Sequence, residues 1–260
     1  MHGLERISSA FDRRRPVFIP YVVPGYPTRD DSLVIVRELI QAGADILELG
    51  VPFSDPLADG PVIQAATQQA LANGITLSDC IEMVRQLRRE GIGTPVLLMG
   101  YLNPMLAYDL ARLADDAAQA GVDGFIVPDL PPEEAGEFER LCHERGLALI
   151  SFLAPNSPPE RIRMVARRAQ GFIYLVSVTG VTGAREDVPA YLPDLIARVR
   201  SEAEVPLVVG FGISNGRQAR AVGQLVDGVV VGSALVRCAA ESPARVRALA
   251  TEIREALDRP

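Results

Sequence analysis

The chain contains no lysine: its 26 basic residues are all arginines. That absence removes several chemistries. A Schiff base, with substrate or with pyridoxal phosphate, needs a lysine amine and cannot form on this chain. The P-loop needs a lysine as well. Histidine is nearly as scarce, with only His2 and His143. The first lies at the terminus, and the second sits in the charged stretch Glu139-Arg140-Leu141-Cys142-His143-Glu144-Arg145. A histidine-centred triad or a histidine-rich metal site is therefore disfavoured. Cys80, Cys142 and Cys238 are isolated; they lack metal-ligand spacing and suit a reducing cytoplasm. No apolar run approaches the length of a membrane span, and the N-terminus lacks the apolar core of a signal peptide. A net charge of −7 argues against nonspecific DNA or RNA binding. Carboxylates are the acid–base groups that remain.

What the chain does contain is an alternation. Apolar and β-branched runs occupy 17–23, 45–50, 95–100, 123–127, 147–152, 172–177, 206–210 and 227–231. Near-continuous apolar runs of this kind are strands buried on both faces, as in a parallel sheet. Helical patterns separate them, at 29–43, 78–91, 109–121, 132–146, 158–169, 191–202, 214–224 and 243–258. Ser78-Asp79, Ser157-Pro158 and Ser214-Asn215 read as start signals, and Gly43, Gly121 and Gly146 as stops. With right-handed crossovers, eight such alternations predict an α/β protein: a closed (β/α)8 TIM barrel, one domain over 1–260. An additional helix over 2–14 is expected across the barrel bottom. Reactive groups in such barrels sit at the C-terminal ends of the strands, where the longest loops here are 51–61 and 178–190.

The second run carries the anomaly. Glu48 interrupts the apolar stretch Asp45-Ile46-Leu47-Glu48-Leu49-Gly50. By alternation it shares a face with Ile46 and Gly50, while Leu47 and Leu49 turn toward the helices. Glu48 is then aimed into the barrel mouth. Desolvation should raise its pKa toward neutrality, which suits a group that both gives and takes a proton. Asp59 follows on the loop, as a second acid or as a turn residue capping a helix that starts near Pro61; Asp55 reads more readily as a turn former. Tyr174 is a hydroxyl that could orient Glu48 or a substrate. The segments Gly210-Phe211-Gly212-Ile213-Ser214 and Val231-Gly232-Ser233-Ala234 end the last two strands. Bare amides and a helix N-terminus there would cradle a phosphate without lysine, and Gly183 would add another amide.

The segment Leu47-Glu48-Leu49-Gly50-Val51-Pro52-Phe53-Ser54-Asp55-Pro56-Leu57-Ala58-Asp59-Gly60-Pro61 closely resembles the signature of the tryptophan synthase alpha chain family. The resemblance continues through Met99–Pro104, Val127–Pro131, Tyr174–Gly183, Gly210–Ser214 and Val231–Ala234, and so covers the chain in order. It implies the retro-aldol cleavage of indole-3-glycerol phosphate to indole and glyceraldehyde 3-phosphate. Glu48 then matches the family's acid–base glutamate, and Asp59 the aspartate that meets the indole N–H. Tyr174, Gly183, Phe211, Gly212, Gly232 and Ser233 match positions around the substrate and its phosphate. It also implies a beta-chain partner in a heterotetramer of two alpha and two beta chains, a cytoplasmic setting, no metal, and no cofactor in this chain. Pyridoxal phosphate would reside on the beta partner. One departure is Val23-Pro24-Gly25, where the family commonly reads Thr-Ala-Gly. A stand-alone lyase, a phosphosugar isomerase and a non-catalytic barrel are the competing readings; partner-facing loops are expected at 53–61 and 101–108.

Overall fold

A computed structural model describes residues 3–13, 15–176, 188–210 and 212–259. Eight parallel strands close into a barrel in sequence order. They are β1 (Val17–Val22), β2 (Leu47–Gly50), β3 (Val96–Met99), β4 (Gly124–Ile126), β5 (Ala148–Leu153), β6 (Ile173–Val176), β7 (Leu207–Gly210) and β8 (Gly228–Val231). β8 pairs with β1, so no edge strand is left exposed. All eight predicted strands and all eight predicted helices are present, with ends trimmed by a few residues.

Alternation along the strands divides the apolar residues into two cores. Inward side chains, among them Ile19, Ile46, Leu97, Ile150 and Val208, fill the barrel. Outward ones such as Leu47, Leu49, Leu98 and Val209 pack under the helices. The N-terminal helix spans Gly3–Phe11, shorter than the predicted 2–14. Its Ile7 enters the inner core, and Phe11 lies 5.9 Å from Phe172. Beyond Phe11 the chain leaves the helix, and Arg13 reaches Asp45 instead.

Three aspartates clasp the barrel bottom in the same way. Asp45, just ahead of β2, accepts from the Phe18 N–H on β1 and from Arg13, Arg15 and Arg254. Asp123, ahead of β4, accepts from the Val96 N–H on β3 and from Arg6 and Arg88. Asp227, ahead of β8, accepts from the Leu207 N–H on β7 and from Arg200. Asp45 and Asp123 are buried, and hydrogen bonds and arginines offset the cost of taking their charge out of water.

Among the described residues three further helices lie outside the eight predicted segments: Pro61–Ala72, starting where one was expected near Pro61, Leu102–Tyr108 and Ser233–Glu241. Each sits at the C-terminal end of a strand and so frames the mouth. Among the described residues no helix is long and apolar enough to cross a membrane.

Candidate active site

Glu48 is 1% exposed and stands on the inward face of β2, as alternation requires. Neither of its carboxylate oxygens has a hydrogen-bond partner. No arginine approaches it among the described residues, so it is not an ion-paired core acid. Burial, and secondly the charge of Asp59, push its pKa up to about 8. A carboxyl in this state is protonated at neutral pH and can release its proton when a substrate changes its surroundings.

Tyr21 stands beside it and Tyr174 on the opposite wall of the barrel, and two glycines make room for them. Tyr21 on β1 is the register partner of Glu48. Its ring leans over Gly50, where a Cβ would fall 2.0 Å from the Tyr21 hydroxyl. Tyr174 on β6 leans over Gly210 in the same manner, with 2.2 Å from its hydroxyl to a Cβ there. Gly210, read from sequence as part of a phosphate turn, is thus a glycine first because Tyr174 occupies its side-chain space. Tyr174 does not hydrogen-bond to Glu48. Burial holds both phenols well above their ordinary pKa; the next largest influence is Asp59 for Tyr21 and Glu48 for Tyr174. Both hydroxyls stay protonated. Gly210→Ala is expected to cost about 1–3 kcal/mol of stability, through forced displacement of the Tyr174 ring. A urea midpoint and turnover that both stayed unchanged would contradict this packing.

Asp59 is held from a distant part of the chain. The Tyr101 hydroxyl, at the end of β3, donates to Asp59 Oδ2 at 3.0 Å and accepts from the Ala58 N–H at 2.9 Å. Phe53 stacks on the Tyr101 ring at 5.5 Å. Loop 51–61 is thereby pinned beside β3, with Asp59 half-buried above the mouth. Burial raises the pKa of Asp59, and the Tyr101 hydrogen bond works against that rise. Asp59 does not cap the following helix: Gly60 is the N-cap of Pro61–Ala72, and no side chain bonds there. Asp55 is exposed and takes the hydroxyl of its neighbour Ser54.

Gly212, Gly232 and Ser233 lie at the ends of the adjacent strands β7 and β8. Gly212 adopts φ +40°, which favours glycine. Helix Ser233–Glu241 starts directly after Gly232, and no side chain caps its N-terminus. Its free N–H groups and dipole face the mouth, where an anion would be favoured. Gly183 and Phe211 lie outside the described residues. At the departure near β1, Val23 packs into the inner core, and Gly25 takes φ +85° against Ile75.

Sequence reasoning missed Tyr21 and Tyr101. The first was available from its inward parity on β1, opposite Glu48. The second had no local signal, because it meets Asp59 from 42 residues away. Asp129 was quoted only within a motif; it accepts from the Leu102 N–H and so fixes the helix that follows Tyr101. Among the described residues no group of three or more His, Cys, Asp or Glu could hold a metal ion.

Comparison with known proteins places this geometry in a family. The family model for the tryptophan synthase alpha chain matches residues 7–258. The alpha chain of Roseiflexus sp. (strain RS-1) is 52% identical over 229 residues, 88% of each chain. That of Chloroflexus aurantiacus is 48% identical over 260 residues, 98% of each chain. Among solved structures, tryptophan synthase from Mycobacterium tuberculosis superposes with a TM-score of 0.93 at 37% identity, covering 98% of this chain and 99% of that one. The alpha chain from Legionella pneumophila gives 0.90 at 36% identity, covering 99% and 98%.

Proposed function

The chain belongs to the tryptophan synthase alpha chain family, and from that premise we propose how its own residues carry out the family's lyase reaction. The reaction is the retro-aldol cleavage of indole-3-glycerol phosphate to indole and glyceraldehyde 3-phosphate, a step of tryptophan biosynthesis. One observation carries the assignment of roles: Glu48 is buried at the barrel mouth, without a partner, beside Asp59.

Aldol cleavage needs somewhere for the electrons of the breaking C–C bond to go. Without a lysine the chain offers no iminium, but indole supplies its own sink. Protonated Glu48 delivers its proton to C3 of the indole, and the positive charge moves to N1. Asp59, as the carboxylate, accepts a hydrogen bond from N1–H and stabilises that charge. The Glu48 carboxylate then takes the proton of the side-chain hydroxyl next to C3. The C–C bond breaks, its electrons restore the aromatic ring, and the aldehyde leaves. Glu48 ends the cycle protonated, as it began. Gly212, Gly232 and Ser233 hold the phosphate, a role the family resemblance extends to Gly183 and Phe211, and so fix the distance from phosphate to C3. Tyr174 stands on the opposite wall, since β2 and β6 face each other in a ring of eight strands.

Alpha-chain membership implies a beta-chain partner. We assign the partner-facing surface to loop 51–61 and helix Leu102–Tyr108, where Leu57 is 91% and Leu106 54% exposed. Both leucines belong to segments that frame the mouth, and that shared position supports the assignment. The complete enzyme is then a heterotetramer of two alpha and two beta chains, with pyridoxal phosphate on the beta chain.

The test is indole release from indole-3-glycerol phosphate, with and without a beta chain. The reaction needs protonated Glu48 and ionised Asp59, so kcat/KM is expected to be bell-shaped in pH. The alkaline limb should fall near the Glu48 pKa of about 8. The acid limb should lie above the ordinary aspartate range, because burial raises Asp59. Absence of cleavage in both assays would remove the lyase reading. A rate still climbing well beyond pH 8 would remove Glu48 as the acid.

A further inference from the structure

The placing of the two acids decides which edge of the indole faces which wall. In indole, C2 lies between N1 and C3, and the fused benzo ring lies on the far side of both. Glu48 addresses C3 and Asp59 addresses N1, and both belong to β2 and its loop. With that assignment C2 faces β2, and the benzo ring points across the barrel toward β5 and β6.

That wall carries an aromatic pair and an opening. Phe152, on the inward face of β5, lies 5.0 Å from the Tyr174 ring at 44°. Beside it the barrel wall parts. β4 and β5 make their last pairing at Ile126 and Ile150, yet β5 runs on through Ser151 and Phe152 to Leu153. A cavity of about 320 Å³ occupies the gap. Ile150, Phe152 and Val176 line it from the mouth, and Leu149, Leu153 and Val165 from outside the barrel. At its outer end Arg168 and Glu139 are paired with one another. Asp129, Ser151, Ser157 and Arg161 also line the cavity, so its apolar part is the end at Ile150, Phe152 and Val176, which pack with the inner core.

We infer that this lateral cavity admits substituents on the benzo edge of the indole, so that the enzyme acts on indole-3-glycerol phosphates substituted at C5 or C6 as well as on the parent compound. The inference rests on the acid assignment given under Proposed function. It also discriminates among ring positions. C5 and C6 lie farthest from C2 and look into the cavity. C4 abuts the chain on C3, and C7 abuts N1 at Asp59, so groups there meet the residues that hold the substrate.

The reverse reaction gives a direct test, because substituted indoles can be supplied as such. Indole C3 attacks the aldehyde of glyceraldehyde 3-phosphate; the aldehyde oxygen takes a proton from Glu48, and the C3 hydrogen returns to Glu48 as a proton. Condensation would be measured for indole and its 4-, 5-, 6- and 7-methyl derivatives. The 5- and 6-methyl compounds should keep kcat/KM within about threefold of indole, and the 4- and 7-methyl compounds should fall about tenfold or more. Filling the cavity, by Ala154→Leu at its rim or Ser151→Leu behind it, should lower the 5- and 6-methyl rates relative to indole by about tenfold. Taken as a ratio within one preparation, this readout does not move with the folded fraction. No condensation with indole itself would overturn the lyase assignment. Turnover of indole with all four methyl compounds rejected alike would overturn the cavity inference and leave that assignment intact. Ratios unchanged in both leucine variants would overturn the inference as well.

Discussion

Glu48→Gln is expected to lower kcat about a thousandfold or more while making the folded chain more stable at neutral pH. The loss follows from the mechanism: one carboxyl gives a proton to C3 and takes one from the hydroxyl, and an amide does neither. The gain follows from linkage. Burial raises the Glu48 pKa from its ordinary value of 4.5 to about 8. Between those two values the unfolded chain carries an ionised Glu48 and the folded chain a protonated one. The folded state then holds the extra proton, so its stability declines as pH rises through this window. The slope is about 1.4 kcal/mol per pH unit. The contribution is fully present below the unfolded value and lost by the time pH has passed the folded one. Glutamine has no such slope. Denaturant midpoints of the two proteins should therefore diverge from pH 5 toward pH 8, with the variant above. Parallel curves, or a variant with near-normal kcat, would contradict a buried, unpartnered, catalytic Glu48.

Asp59→Asn should reduce kcat by about 10²–10³, the scale for losing one electrostatic partner of a charged intermediate. Asparagine keeps the size and can still accept from Tyr101, so the loop stays pinned. What disappears is the negative charge facing N1. A second effect accompanies the first. Asp59 is the second largest cause of the raised Glu48 pKa, after burial. Removing its charge lets that pKa fall, and the alkaline limb of the residual activity should move to lower pH. Substrate KM should change little, since the phosphate contacts remain. A rate loss with an unmoved alkaline limb would mean that the two acids do not sense one another.

The barrel was legible because its signal is local. Each strand is an apolar run short enough to read alone, and Glu48 stands out because it breaks such a run. Its inward direction followed from parity, since Leu47 and Leu49 had to face helices. Contacts between strands left less trace. Tyr101 and Asp59 meet across two strands and a loop, and neither residue type is unusual where it stands. The glycines illustrate how one residue type can answer two demands. Gly210 was read as a phosphate contact, yet Tyr174 already claims its side-chain space. Helices Leu102–Tyr108 and Ser233–Glu241 are too short to show a periodic apolar face. The cavity between β4 and β5 has no sequence signature at all, because it arises from one strand outrunning its neighbour.

The three aspartate clasps at the barrel bottom have a consequence for redesign. Their carboxylates are bonded by arginines and backbone N–H groups, while Glu48 at the opposite end has no hydrogen-bond partner. The same functional group is quenched where the chain must hold together and left unsatisfied where it must react. Robustness and reactivity are thus assigned to opposite poles of a single axis, linked only by the strands between them. Loops at the mouth can be exchanged for other carbon–carbon chemistry with the foundation untouched. Reinforcing the foundation, in turn, should leave the proton shuttle free to work.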